Sequence, residues 1–406
     1  MRGHRPFPLV RVMHIITGLG TGGAEMMLLK LLSGQDGGGG GHLVVALGPD
    51  GAVTDRIRSM GAAVHSLGMA GGRPPSPAAV RRLFKLSRDY RPQVIQGWMY
   101  HGNLMASLVG CLAPGRPPVI WNIRQALYDI GREKRMTVLI MRLGARMSLL
   151  PGRIIYNSRA GAEQHEKMGY ARGRTLIIPN GFDCGRFRPS PEARALVRRR
   201  LGVPDDALLI GLIARYHPVK DHANFFAAAA KLASRRSDAH FALAGAMVDE
   251  GNRELAGMID NAGLRRRVHL MGEQANMPEI DAALDVATSS SVSEGFPNVI
   301  GEAMACGVPC VVTDVGDSAL IVGDTGKVVP PKNSDALAAG WAAISDMGPE
   351  RRKALGGAAR RRIVERYSLQ DVVARYVQLY SDTALERRPV PAEAGYGNQK
   401  QSPGRR

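Results

Sequence analysis

The sequence predicts an α/β protein made of two doubly wound parallel sheets, and three observations carry that expectation. Short apolar runs alternate with helical segments from residue 10 to about residue 385. The alternation breaks off in a polar stretch rich in Arg and Pro after Asp183, then restarts. At 406 residues, 45% of them hydrophobic, the chain is long enough for two cores of ordinary size.

Taken in order, the first half reads as strands at residues 10–16, 42–47, 93–98, 118–122 and 153–157, with a helix from Ala24. The glycine run at 37–41 reads as a loop. Strands of the second half are expected at 207–214, 239–244, 268–271, 286–289 and 309–313, with helical segments such as 223–235 between them. These breaks suggest a first domain at 1–185, a linker at 186–206 and a second domain at 207–368. The last helical pattern, within 369–386, is expected to return across the junction, and from Arg387 onward almost nothing can be buried, so a disordered tail is expected. Two such domains leave a crevice, and ligands of open parallel sheets sit at the C-terminal strand ends facing it.

Composition narrows the partners. Lys and Arg total 54 against 36 acids, a net charge of +18, which favours a polyanion: nucleic acid, an anionic membrane face or a phosphorylated substrate. Aromatics are only 5%, and no basic run is interleaved with base-stacking rings, so nucleic acid ranks last. Cys111, Cys184, Cys306 and Cys310 show no Cys-x-x-Cys spacing and no neighbouring histidine pair, which argues against a zinc site and a disulfide framework. The first residues do not read as a signal peptide and no segment has the length of a membrane span, so a cytoplasmic protein, free or peripheral on a membrane, is expected.

The residues that carry chemistry cluster after strands. In SEGFPNVIGEAMACGVPCVV, Pro297 suits the first helical position, Gly307 the left-handed C′ position, and Pro309 ends the helix before an apolar strand. Glu294 then precedes the helix while Glu302 lies inside it on the face of Asn298, with free N–H groups of the helix start between them. That arrangement suits a phosphate with hydroxyls on either side, as in a nucleotide sugar. An ordinary strand, loop and helix with solvated acids is the bland alternative. In IARYHPVKDH, Arg215, Lys220 and His222 follow a strand and would stand at the crevice rim, the first two gripping a diphosphate. The first loop satisfies G-x-G-x-x-G through Gly18, Gly20 and Gly23, which keeps an NAD oxidoreductase in view, although the second strand lacks the acidic residue at its end that would hold a ribose. A basic module that binds polyanions without turnover is the third class. His101 follows the strand that ends at Trp98.

These residues resemble those of the retaining glycosyltransferases of the large GT4 group, which have the two-domain GT-B fold. The resemblance covers most of residues 10–383 and rests on the E-x7-E spacing of Glu294 and Glu302, on ARYHPVKDH, on PNGFD and on the glycine-rich loop followed by Ala24 and Glu25. It implies sugar transfer from a nucleoside-diphosphate sugar, a UDP-sugar being favoured, to a glycan or lipid-linked acceptor with retained configuration, in cell-surface polysaccharide synthesis. It also implies that Glu294 contacts donor-sugar hydroxyls, that the backbone of Phe296, Pro297, Asn298 and Val299 meets sugar and phosphates, and that Glu302 holds the ribose. Arg215 and Lys220 would bind the diphosphate, Gly22 and Gly23 would approach the donor from the first domain, and His101 would be the cleft histidine. The segment at 314–324 lacks the glutamate usual after the glycine, and ALAGAMVDE is a loose copy of the family's glycine loop. No Asp-x-Asp occurs in the chain, so no metal or other cofactor is expected. A helix at 133–149 would carry Arg135, Arg142 and Arg146 as one basic stripe, either merely solvated or resting on anionic lipid.

Overall fold

The computed structural model describes residues 10–34, 41–69, 75–127, 131 and 135–386. The first eight residues, the glycines at 37–40 and the expected tail from Arg387 lie outside the described residues. The first half runs β1 (Val12–Ile16), α1 (Gly23–Ser33), β2 (His42–Ala46), α2 (Thr54–Ser59), β3 (Ala63–Ser66), α3 (Pro77–Tyr90), β4 (Val94–Trp98), α4 (Met99–Leu112), β5 (Val119–Ile123), α5 (Arg135–Met147), β6 (Arg153–Tyr156), α6 (Arg159–Lys167) and β7 (Thr175–Ile177). Its seven strands pair in parallel in the order β3-β2-β1-β4-β5-β6-β7. Because side chains alternate along a strand, Val12 and Ile16 pack with α1 and α2, while Met13 and Ile15 join the core of α3, α4 and α5 on the other face.

The second half runs α7 (Pro191–Leu201), β8 (Leu208–Ile213), α8 (His222–Ala233), β9 (Ala239–Ala244), α9 (Arg253–Asn261), β10 (Val268–Leu270), α10 (Met277–Ala283), β11 (Val286–Ser289), α11 (Asn298–Ala305), β12 (Cys310–Thr313), α12 (Ser318–Val322), β13 (Lys327–Val329), α13 (Ser334–Ser345), α14 (Pro349–Tyr367) and α15 (Leu369–Leu385). Its six strands are again parallel, in the order β10-β9-β8-β11-β12-β13. The segment expected as a linker is instead folded onto this half. Ser190 caps α7 by accepting from the Ala193 N–H at 3.2 Å, Gly202 ends it at φ 66°, and Ala193 and Val197 enter the second core. Arg194 and Arg198 then fork onto Asp285 at 2.8 and 3.3 Å, tying the helix to the start of β11.

The chain crosses between the halves twice at one place. Tyr367 ends α14 and Ser368 starts α15, and alongside them the Phe182 N–H donates to the Tyr367 carbonyl while the Leu369 N–H donates to that of Phe182, both at 2.9 Å. Beyond this point α15 lays Val372, Tyr376 and Tyr380 on the first sheet. The sheet face beneath it is partly polar. The Trp98 indole, which can only donate, gives its N–H to His14 Nδ1 at 3.2 Å, so His14 carries its proton on Nε2 and donates to His42 Nδ1 at 2.9 Å. Both imidazoles are therefore neutral, and burial pushes the pKa of His14 well down and that of His42 down to about 4. The four cysteines are unpaired. Among the described residues no helix is long and apolar enough to cross a membrane.

Candidate active site

Loops at the C-terminal strand ends of the two sheets meet face to face. Gly295, after β11, is so close to the first half that a Cβ there would lie 3.2 Å from Ala126 Cβ, after β5, and 3.5 Å from Ser158 Oγ, after β6. Asp317, after β12, reaches across and accepts from the first N–H groups of α6, at Arg159 (2.9 Å) and Ala160 (3.1 Å). Asn180, after β7, donates to Asn298 at the start of α11 at 2.5 Å. The crevice expected of two such sheets thus exists, and these contacts fix which loops line it.

On the second-half wall, β11 ends in Ser290-Ser291 and turns back through Glu294. The Glu294 Oε1 atom accepts from Lys220 Nζ at 2.5 Å and from Ser291 Oγ at 2.7 Å, with the two ionic side chains 23% (Lys220) and 13% (Glu294) exposed. Lys220 is held in turn by its carbonyl, which accepts from Ser290 Oγ at 2.7 Å. Under this turn Gly316, at φ 58°, sits where a Cβ would strike the Glu294 carbonyl at 2.3 Å, and the Asp317 N–H donates to the Gly295 carbonyl at 2.9 Å. Glu294 is therefore placed by its own turn together with two other segments, at Lys220 and at Gly316–Asp317.

Helix α11 starts one residue later than expected. Pro297 is its N-cap, at φ −74° and ψ 100°, and provides no side-chain cap, so the first N–H groups of the helix are left without a side-chain acceptor. The buried Phe296 ring stacks on Phe182 at 6.0 Å and lies tilted against Tyr367 at 5.8 Å. Gly307 takes φ 76° after Cys306, and β12 follows Pro309, as the sequence predicts.

Glu302 lies one turn into α11. Burial raises its pKa, partly offset by the charges of Lys30 and Arg186. Lys30, from α1 of the first half, feels the converse: burial lowers its pKa and Glu302 raises it, and its Nζ donates to the Gly181 carbonyl at 3.4 Å. Near Glu302, Asp281 is 1% exposed with Oδ1 unpaired, and burial with the nearby Glu302 charge pushes its pKa well up.

On the first-half wall, β4 passes into α4 without a loop residue. Met99 absorbs the turn at φ 60°, an unusual conformation for a side chain of its size, and His101 comes out exposed in the first turn, its pKa lowered by partial desolvation. In the glycine-rich loop, Gly22 is the uncapped N-cap of α1 and Gly23 its first residue. A Cβ at Gly18, Gly20 or Gly23 would meet nothing within 4 Å, so open space faces this backbone.

The structure brings Lys220 and Glu294 together just before the start of α11. Arg215 is exposed just past β8 and has no ion pair among the described residues. His222 is not at the rim: it is 3% exposed in the first turn of α8, both ring nitrogens lack partners, and burial lowers its pKa to about 4. The ribose-binding acid of the oxidoreductase reading is also missing, since Asp50 is engaged by Arg58 at 3.0 Å and by Ser66. Sequence reasoning missed Ser291, Asn180, Asp317 and Arg124. Arg124 follows β5 directly, the same strand-end signal that picked out Arg215; it donates to Tyr376 Oη at 3.0 Å and to Asn180, and burial lowers its pKa.

Comparison with known proteins agrees with this fold. Residues 22–181 match the family described as glycosyl transferase 4-like domain, and residues 207–346 match glycosyl transferases group 1. EpsF of Bacillus subtilis is 26% identical over 315 residues, 75% of this chain and 79% of that one. The lipopolysaccharide core biosynthesis mannosyltransferase LpsB of Rhizobium meliloti is 29% identical over 263 residues, 58% of this chain and 71% of its own length. Among solved structures, Anabaena HepE in complex with UDP superposes with a TM-score of 0.78 at 22% identity, over 92% of this chain and 100% of that one. Two facing parallel sheets, a first half that matches the glycosyl transferase 4-like domain and a second half that matches glycosyl transferases group 1 make the chain a glycosyltransferase of the GT-B fold.

Proposed function

We propose that this enzyme moves a hexose from a UDP-sugar to a glycan or lipid-linked acceptor with retention of configuration, in the synthesis of a cell-surface polysaccharide. The observation that carries the reading is the Lys220–Glu294–Ser291 cluster beside the uncapped start of α11, on a loop that meets the first half at Ala126 and Ser158. It pairs one cation and a row of N–H donors, suited to a diphosphate, with a carboxylate oxygen left for a sugar hydroxyl. HepE was solved with UDP and with UDP-glucose, and LpsB is named for lipopolysaccharide core synthesis, which supports the donor class and the pathway class.

In this reading residues 1–185 hold the acceptor and 207–368 the donor. The C1–O bond to the diphosphate breaks as the acceptor oxygen bonds C1, and the acceptor proton leaves with the diphosphate. Negative charge grows on the departing oxygen, where Lys220, Arg215 and the α11 N–H groups would stabilise it. His101 on the opposite wall and Glu294 would hold sugar hydroxyls, and Glu302 the ribose. Because protein groups meet the diphosphate charge, we propose that no metal is required. The enzyme would work on the cytoplasmic side, attached peripherally to the membrane.

Titration calorimetry with UDP, GDP and NAD in EDTA tests the proposal, followed by a screen of UDP-sugars for hydrolysis and an NMR determination of the product anomer. UDP is expected to bind and turnover to persist in chelator. Binding of NAD alone would return the chain to the oxidoreductase reading, and activity restored only by a divalent ion would overturn the account of the diphosphate seat.

A further inference from the structure

Helix α5 presents an unusual outer face. Its inner side buries Met141 and Gly144. At about 100° per residue, Arg142, Arg135 and Arg146 fall within an arc of about 40°, and Leu139, Leu143 and Met136 fill the next arc of about 60°. All six are exposed, the apolar three at 59%, 44% and 55%. The basic stripe expected from the sequence is thus one half of the outer face, and its other half is an apolar ridge.

The ridge continues. Leu149 and Leu150, just past α5, are 69% and 51% exposed, and Leu150 lines one shallow depression with Cys111 and Arg116, next to Leu112 at 67%. Among the described residues Arg135, Arg142 and Arg146 have no ion-pair partner, and no acid occurs between Arg135 and Gly152. Isolated exposed leucines need no explanation, but three apolar side chains on one helix face, bordered by arginines without ion-pair partners among the described residues, do.

We propose that this ridge docks the enzyme on an anionic lipid bilayer, with Leu139, Leu143 and Met136 entering the headgroup boundary and the adjoining arginines meeting lipid phosphates. The helix would lie on the surface, since no described helix can span it. Charge selects this occupant over a second copy of the chain. A two-fold contact through this face would set the arginine row against itself with no acidic row to answer it, whereas an anionic bilayer supplies phosphates without limit. The placement also has a use. Helix α5 lies between β5 and β6, and the chain beyond it returns to the start of β5, where the Gly152 N–H donates to the Val119 carbonyl at 2.8 Å, so the helix runs back from the crevice end of the sheet toward the opposite end. A lipid-linked acceptor held in the bilayer would meet the crevice at that edge; this consequence rests on the transfer reading above, while the docking does not.

The test is co-sedimentation of the full chain with phosphatidylcholine vesicles, with and without phosphatidylglycerol. The wild type is expected to pellet with the anionic vesicles and to be released as salt rises. The triple change R135Q, R142Q and R146Q should reduce pelleting by about tenfold or more at low salt, and L139S with L143S should do the same while the circular dichroism melt stays that of the wild type. Turnover of a soluble acceptor should be unaltered in both, which keeps failure of docking separate from failure of the transferase reading. Wild-type protein that stays in the supernatant, or a leucine variant that pellets like the wild type, overturns the proposal. So does a wild-type dimer in analytical ultracentrifugation that L139S with L143S dissociates, which would give the ridge to a second copy.

Discussion

Replacing Lys220 separates what the ion pair does for the fold from what it does for transfer. Lys220 Nζ and Glu294 Oε1 are 2.5 Å apart in a partly buried setting. At an effective dielectric of about 20, opposite charges about 4 Å apart attract by about 4 kcal/mol before the costs of desolvation and ordering. After those costs a coupling of about 1–3 kcal/mol remains for such a neighbouring pair. In Lys220→Ala, Glu294 keeps only the Ser291 hydroxyl, so stability should fall by about 1–3 kcal/mol. Removing both charges, as in Lys220→Met with Glu294→Gln, should restore most of that loss, because no half-paired carboxylate is left. Turnover should not follow. Lys220→Ala should lower kcat/KM by about tenfold to a thousandfold, the scale of losing one preorganised donor at a developing charge, and the double variant should be no better. Urea unfolding gives the first quantity and initial rates on a UDP-sugar, with and without magnesium, give the second. A double variant that recovers both stability and rate would show that the pair serves the fold alone, and rescue of Lys220→Ala by magnesium would refute the charge assignment.

Glu302→Ala should weaken nucleotide binding by about 1–3 kcal/mol in calorimetry, whereas Glu294→Ala should reduce kcat more than affinity; negligible effects of both changes would make the motif structural. The neutral histidine pair beneath α15 predicts acid sensitivity. His42 titrates at about 4 when folded against about 6.5 unfolded, so as pH falls through that window the unfolded chain takes up the proton first and stability drops by about 3 kcal/mol from this group, His14 acting in the same direction. His42→Gln should flatten the difference between melts at about pH 7 and about pH 4.5; a slope equal to that of the wild type would remove the pair from the explanation.

Much of the site was readable because strand ends advertise themselves. Lys220, Glu294 and the α11 region follow apolar runs, and helix punctuation by Pro297 and Gly307 is local chemistry. The start of α11 was misjudged by one residue since Pro297 can serve as N-cap or first helical residue with nearly the same φ. Strands β3, β7 and β13 escaped for another reason: each is an edge of three or four residues, too short and too exposed to form an apolar run. Polar composition made residues 186–206 look like a connector, although Arg194 and Arg198 spend their charge on Asp285. His222 looked like a rim charge because its neighbours are charged, and only its packing beside Tyr216, at 5.2 Å, reveals that it turns inward. Asp317 could not be read at all, since its partners are backbone N–H groups 157 and 158 residues away.

The double crossing at Phe182 and Ser368 has a mechanical meaning. Two polypeptide cords that run side by side, cross-linked by hydrogen bonds on both sides of Phe182, behave as a leaf spring rather than as a string. Such an element bends readily about the axis perpendicular to its ribbon and resists both twisting and sliding. A single cord would let the two halves swivel, and each reopening could bring Glu294 back against a different part of the first half. A ribbon would restrict any such motion to one swing, the one that keeps Gly295 opposite Ala126 and Ser158, and Asp317 opposite the start of α6.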